Sequence, residues 1–336
     1  MSEVVPEVAE RTPAETGGIS ALRSRWTPHL ASWRTLGIVI PFVALFITLS
    51  IASGPFLTKI NLVNILGQQS AVLVIGAGST LVLISGGIDL SVGATYGLAS
   101  VVAGEVDQHN PALLALFVAL ALGAVIGVVN GVVSTVFKIN SLIATLAMSF
   151  IITGTAEKIT GGNLVDITDQ GFKDIAYTKF LTIPTAVWIA VIVVILLAIV
   201  LGRTVFGRYI YASGGSTEAS RLSGVPVNGV RIMAFVISGV CAALGGCIDT
   251  ARIFTAQATQ GGSALTFTVL AGVVVGGTSI LGGEGAIWRT VVGVLFIALI
   301  GNGFDLLSID PLVQQIILGV ILLLAVGLDA IPRLRT

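Results

Sequence analysis

Residues 112–137 read ALLALFVALALGAVIGVVNGVVSTVF, with no charged side chain in the run. A stretch of about 20 mostly apolar residues is enough to cross the hydrocarbon core of a bilayer as a helix. The run therefore predicts a membrane span, and the fold is read by looking for others like it. Clear candidates lie at 36–53, 184–202, 231–250 and 312–330. Less continuous ones, interrupted by glycine pairs and polar residues, lie at 62–85, 90–104, 141–159, 265–281 and 286–304. The expectation is an all-α polytopic membrane protein with about ten transmembrane helices. The stretch 90–104 is short for a full crossing and leaves room for a broken or re-entrant piece.

Composition agrees. Of 336 residues, 55% are hydrophobic and 10% charged, with a mean hydropathy of +1.02; a soluble domain carries roughly 25% charged residues. Seventeen basic and seventeen acidic residues cancel, which disfavours a nucleic-acid partner and leaves the lipid bilayer as the expected environment. Forty-one glycines suit closely packed membrane helices. Cys241 and Cys247 share one apolar run, so neither a disulfide framework nor a metal cluster is expected. Residues 1–35 hold Glu3, Glu7, Glu10, Glu15, Pro6 and Pro13 without apolar periodicity, and are expected to be a disordered cytoplasmic tail before a membrane domain at 36–332.

Basic residues set orientation. With ten spans and an inside N-terminus, Arg11, Arg23, Arg25, Arg34, Lys138, Arg203, Arg208, Arg221, Arg231, Arg289, Arg333 and Arg335 face the cytosol, against Lys59, Lys158, Lys173, Lys179 and Arg252 outside. Both termini are therefore expected in the cytoplasm. One long external loop, 160–183, carries Asp166, Asp169, Lys173 and Asp174 and reads as a solvated segment or a landing surface for an external partner.

The long cytosolic stretch 203–230 is more specific. Ser216 is placed to cap a short helix with Glu218 in its first turn, and Thr217 to Ser223 make about two turns. Gly224 supplies the left-handed stop and Pro226 blocks continuation. An isolated helix of this length is unstable in water, so Ser216, Thr217, Glu218, Arg221, Leu222, Ser223 and Gly224 should rest on span ends or on another protein.

Two glycine-rich reversals stand out. The first, GGIDLSVG at 86–93, contains Gly86, Gly87, Asp89, Ser91 and Gly93. Asp89 reads either as a cap on the helix that follows or as a polar contact in a pathway. The second, GGTSILGGEG at 276–285, contains Gly276, Gly277, Gly282 and Gly283; it has no basic residue in a phosphate-binding pattern and reads as a tight turn. Gly123, Gly127 and Gly131, like Gly272 and Gly276, recur every four residues and should form close helix contacts. Asn130, Asn302 and the neighbouring Phe304 are candidates for a polar pathway, because a buried Asn needs either a helix neighbour or a hydroxylated substrate as partner.

No catalytic constellation or metal-ligand spacing is present, so an enzyme is not expected. No Walker A sequence occurs, so the chain itself should bind no ATP. Asp89, Glu157, Asp249 and Asp305 all fall near span ends, which counts against the alternative reading, a stand-alone proton- or ion-coupled carrier. A membrane scaffold that moves nothing is a third reading.

GGIDLSVG at 86–93 is joined in order by KINSLIATLAM at 138–148, FGRYIYASGG at 206–215, EASRLSG at 218–224, VGGTSILGGEG at 275–285 and NGF at 302–304. Together these resemble the ribose-type permease subunits of ABC sugar importers, over about residues 36–332. The resemblance implies a type II importer permease, without bound cofactor, in a bacterial plasma (inner) membrane. It implies a second permease copy or paralogue, cytosolic ATPase subunits holding ATP-Mg, an external sugar-binding protein, and a sugar or polyol as substrate. By the same resemblance, Ser216 to Gly224 form the coupling helix that docks on the ATPase. The chain departs from the family at Ser216, where Asn is usual, and at Thr266 and Thr268, where Glu and Asp are common.

Overall fold

The computed structural model describes residues 28–310, 312–317, 319–320 and 323. Helix α1 (Pro28–Ala52) is followed by α2 (Lys59–Ile84), α3 (Val92–Asp107), α4 (Ala112–Thr135) and α5 (Ser141–Thr160). Strand β1 (Val165–Asp166), helix α6 (Gln170–Tyr177) and strands β2 (Lys179–Phe180) and β3 (Ile183–Pro184) come next. Then follow α7 (Thr185–Arg203), α8 (Val205–Gly215), α9 (Thr217–Leu222), α10 (Val227–Ile253), β4 (Thr255–Ala256), α11 (Gly262–Val275) and α12 (Ile287–Leu306).

Among the described residues, six helices are long and apolar enough to cross a membrane: α2, α4, α5, α7, α10 and α12. The apolar part of α1, Gly37–Ala52, and α11 are shorter. Against the expected count of about ten, the described residues hold six full-length candidates and shorter helices at three more of the expected positions, while the span expected at 312–330 lies mostly outside the described residues. Helix α1 begins at Pro28, inside the stretch assigned to a tail, while residues 1–27 lie outside the described residues.

The helices divide into inner and outer. In α2 and α10, 78% and 61% of the apolar window is buried, against 22% in α5 and α7. Helix α10 packs on α4, α2 and α3. The α4–α10 contact is backbone to backbone: a Cβ on Gly123 would lie 2.4 Å from the Gly239 carbonyl oxygen, and one on Gly127 2.5 Å from that of Phe235. Gly272 and Gly293 bring α11 and α12 together in the same way, a Cβ on Gly293 falling 2.1 Å from the Gly272 oxygen.

Helix α3 has 16 residues, about 24 Å at 1.5 Å per residue, less than the hydrocarbon thickness of about 30 Å. It is a single unbroken helix, and the remaining depth falls to the extended residues before it. Non-helical backbone at that depth is tolerated only where protein satisfies its polar groups. Here α5 does so: Ser141 Oγ accepts from Ile88 N at 3.0 Å, and Thr145 Oγ1 accepts from Leu90 N at 2.9 Å.

The stretch 160–183 is largely exposed and carries a local fold. Strand β1 pairs antiparallel with β4, β2 pairs with β3, and α6 buries Phe172 and Ala176. Asp169 caps α6 by accepting from Gly171 N at 3.0 Å, and Asp107 at the end of α3 accepts from Thr168 N and Asp169 N. This cap lies at the end of the bundle opposite α9.

Candidate functional site

The α9 end is built by local chemistry. Thr204 caps α8, its hydroxyl accepting from Gly207 N at 3.1 Å. Ser216 ends α8 and caps α9, its Oγ accepting from Ala219 N at 3.3 Å. Glu218 lies in the first turn and Arg221 in the last, the arrangement that complements a helix dipole. Ser223 closes the helix, Gly224 follows at φ +81°, and Pro226 precedes α10. Ser220 is buried against the bundle, whereas Glu218, Arg221 and Ser223 are exposed and Leu222 is 85% exposed. A leucine so placed on a capped, outward-facing turn presents an apolar contact point at this end of the molecule.

Both glycine-rich reversals lie directly beneath α8 and α9. Gly283 N donates to Ile84 O at 2.8 Å, joining the second reversal to the end of α2. A Cβ on Gly282 would meet the Cα of Gly86 at 2.9 Å and that of Gly214 at 3.2 Å, and one on Gly283 would meet Gly215 Cα at 2.9 Å. Tyr211 Oη donates to Gly285 O at 2.8 Å. Three segments remote in sequence thus meet backbone against backbone. Arg231, at the start of α10, spans the junction: Nε donates to Ser85 O at 2.9 Å, and Nη2 donates to Ser213 O at 3.2 Å and Thr217 Oγ1 at 2.8 Å.

Deeper in the bundle, Asp89 is 3% exposed. It is not the cap of α3: the N-cap position is Ser91. Asp89 Oδ1 instead accepts from Ser91 N at 3.0 Å and Ser91 Oγ at 2.7 Å, a local turn of the kind Asp favours. Its Oδ2 accepts from Ser238 Oγ of α10 at 3.1 Å, and Asn130 Nδ2 of α4 donates to Ser91 Oγ at 2.7 Å. Asn130 therefore finds its partner in the protein. Gly93 N donates to Thr266 Oγ1 at 3.1 Å, and a Cβ on Gly93 would fall 2.0 Å from the Gly262 oxygen. Thr266, at one of the positions where the family often carries an acid, ties α11 to α3.

Asn302 behaves differently. It exchanges two hydrogen bonds with Asn61 of α2, at 3.0 and 2.8 Å. The pair borders a cavity of about 330 Å³ that Asn64, Gln68, Gln69, Thr268, Asp305 and Gln314 also line. It lies between α2 and α12, toward the end opposite α9. Pockets for small ligands start near this size and carry a few placed polar groups. Phe304 does not line it. Asn302 is among the candidates expected from sequence, and Asn61, Asn64, Gln68 and Gln69 are not; their signal is carboxamides recurring at helical spacing at the start of one expected span.

Asp249, one of the acids weighed for ion coupling, is engaged. Arg252 Nη2 donates to its Oδ1 at 2.6 Å, and the Tyr96 hydroxyl donates to its Oδ2. Among the described residues no group of three His, Cys, Asp or Glu is placed to hold a metal.

Comparison with known proteins settles the family. Residues 61–326 match the family model for the permease component of the branched-chain amino acid transport system. The chain belongs to this permease family. It is 39% identical over 299 residues to the ribose import permease protein of Escherichia coli strain K12, covering 87% of this chain and 92% of the relative. It is 36% identical over 302 residues to the L-arabinose transport system permease protein of the same strain, covering 88% and 90%. A probable ABC transporter permease protein of that strain is 33% identical over 319 residues, 95% of each chain. No solved structure matches. The chain is accordingly a multi-pass membrane permease component and not an enzyme.

Proposed function

We propose that this chain is the membrane-spanning permease subunit of an ABC importer that carries a sugar or small polyol into the cytoplasm. The observation that carries the proposal is likeness, at 36–39% identity and over almost the full length of each relative, to permeases named for ribose and L-arabinose. In this reading the protein sits in a bacterial inner membrane with both termini and α9 in the cytosol. Separate ATPase subunits hold ATP-Mg, a second permease copy or paralogue completes the pathway, and an external binding protein delivers the sugar.

The geometry supports this assignment of faces. Capped, exposed α9, with Leu222 outward, is the surface for the ATPase. The carboxamide-lined cavity beside Asn302 offers donors and acceptors suited to hydroxyl groups, on the side where substrate arrives. The folded segment from β1 to β3 is the surface for the binding protein.

The test is reconstitution in vesicles with the partner ATPase and binding protein. Uptake of sugar is expected to require ATP and to persist when the proton gradient is collapsed. Uptake that proceeds without the ATPase and stops with the gradient would replace this reading with a secondary carrier.

A further inference from the structure

We infer that Arg231 is the positioning residue through which movement of α9 reaches the first glycine-rich reversal. This rests on the coupling role proposed for α9. Ser85 ends α2 immediately before the reversal, Ser213 lies in the last turn of α8, and Thr217 is the first residue of α9. One planar guanidinium therefore ties the end of α2 to the α8–α9 junction, more than a hundred residues further along the chain.

Geometry makes the grip stiff. Ser85 and Ser213 are fully buried. A Cβ on Gly86 would lie 3.1 Å from Arg231 Nη2, and one on Gly214 would lie 1.8 Å from the Ile84 oxygen. Neither backbone has slack to absorb displacement of the guanidinium. Beyond Ser85 the chain runs through Gly86 and Gly87 to Asp89, whose carboxylate is tied to α3 and α10. A shift of Thr217 is thereby carried by rigid contacts to the residues that set the depth of α3. Arginine is required rather than lysine, because a fixed fork of donors holds several acceptors at once, whereas an ammonium on a flexible stem does not.

The experiment uses the reconstituted complex with three measurements: recovery of ATPase subunits with the permease, stimulation of ATP hydrolysis by sugar-loaded binding protein, and uptake. In Arg231→Lys, the ATPase is expected to remain bound while stimulation is lost and uptake falls at least about tenfold, the scale of one hydrogen bond to a charged group. Thr217→Val removes the Arg231 bond to α9, along with the hydroxyl's own long bond to Ser213 O at 3.3 Å; it is expected to lower uptake and stimulation together, and adding it to Arg231→Lys should cost little further. Leu222→Asp, on the exposed face of α9, should release the ATPase. Normal stimulation and uptake in Arg231→Lys overturn the inference, as does full additivity of the two substitutions. If Arg231→Lys does not assemble, Thr217→Val decides: wild-type coupling in that variant also overturns it. Should Leu222→Asp retain and drive the ATPase normally, the coupling role of α9 fails and this inference with it. A defect confined to Leu222→Asp leaves α9 as the docking helix and removes Arg231 alone.

Discussion

The two glycine-rich reversals begin alike and end differently. At the first, Gly86 N donates to Leu83 O and Gly87 N to Val82 O; at the second, Gly277 N donates to Val274 O and Thr278 N to Val273 O. Each is the paired-bond stop that ends a helix on a left-handed residue, and Gly86 and Gly277 have φ of +86° and +87°. After the stop the paths part. The first runs extended into the bundle, its backbone bonded by Ser141 and Thr145, and closes on Asp89. The second turns back on itself, Ser279 N donating to Glu284 O at 3.0 Å, and reaches α12 within a few residues. The same local stop thus serves two purposes. One reversal delivers a carboxylate to the interior, and the other delivers a compact glycine wedge to the α8–α9 end.

Breaking the contact between the two should have the largest effect. Gly282→Val places a branched side chain where even a Cβ lies 2.9 Å from Gly86 Cα. No monodisperse complex is expected from detergent extracts of this variant. Asp89→Ala strikes the first reversal alone. It leaves the hydroxyls of Ser91 and Ser238 without their acceptor, at about 1–3 kcal/mol for each buried group, and should appear as a clear fall in the thermal midpoint of the solubilised protein. Gly277→Ala strikes the second. The nearest side-chain atom is 3.6 Å away, so only left-handed backbone strain of about 1–2 kcal/mol is expected, read as a smaller shift in the same midpoint. The mildest change is Asp89→Asn, which keeps an acceptor for Ser91 and forms the same local turn. Assembly and uptake should be largely retained. Abolished uptake in a normally assembled Asp89→Asn complex would give the carboxylate a part in transport beyond holding α3.

What was legible in the sequence was local. Uncharged apolar runs announced α4 and α7, and Ser216, Glu218, Gly224 and Pro226 announced α9 with both its ends, because caps and stops act over three or four residues. The glycine stripe of α4 was legible for the same reason. The partners of Asp89 were not: Ser238 lies 149 residues away, and a serine in a membrane helix carries no mark of its partner. Ser141 and Thr145 read as ordinary helix residues until the extended backbone of 88–90 is set beside them. Arg231 counted only as a charge on the cytosolic side, since nothing in one dimension tells that Ser85, Ser213 and Thr217 converge on it. The stretch 160–183 is mostly exposed, as a solvated segment would be, but its local fold was not legible, because β1 is completed by β4 from a distant part of the chain.

The composition of α3 has a consequence for how the protein is made. With Thr95, Tyr96, Ser100, Glu105 and Asp107 along 16 residues, it is too short and too polar to partition into lipid unaided. Its polar groups are answered by α10, α11 and the segment before α6, all synthesised later. During synthesis α3 therefore has to wait beside α2 and α4 with these groups unanswered until more than a hundred further residues have emerged.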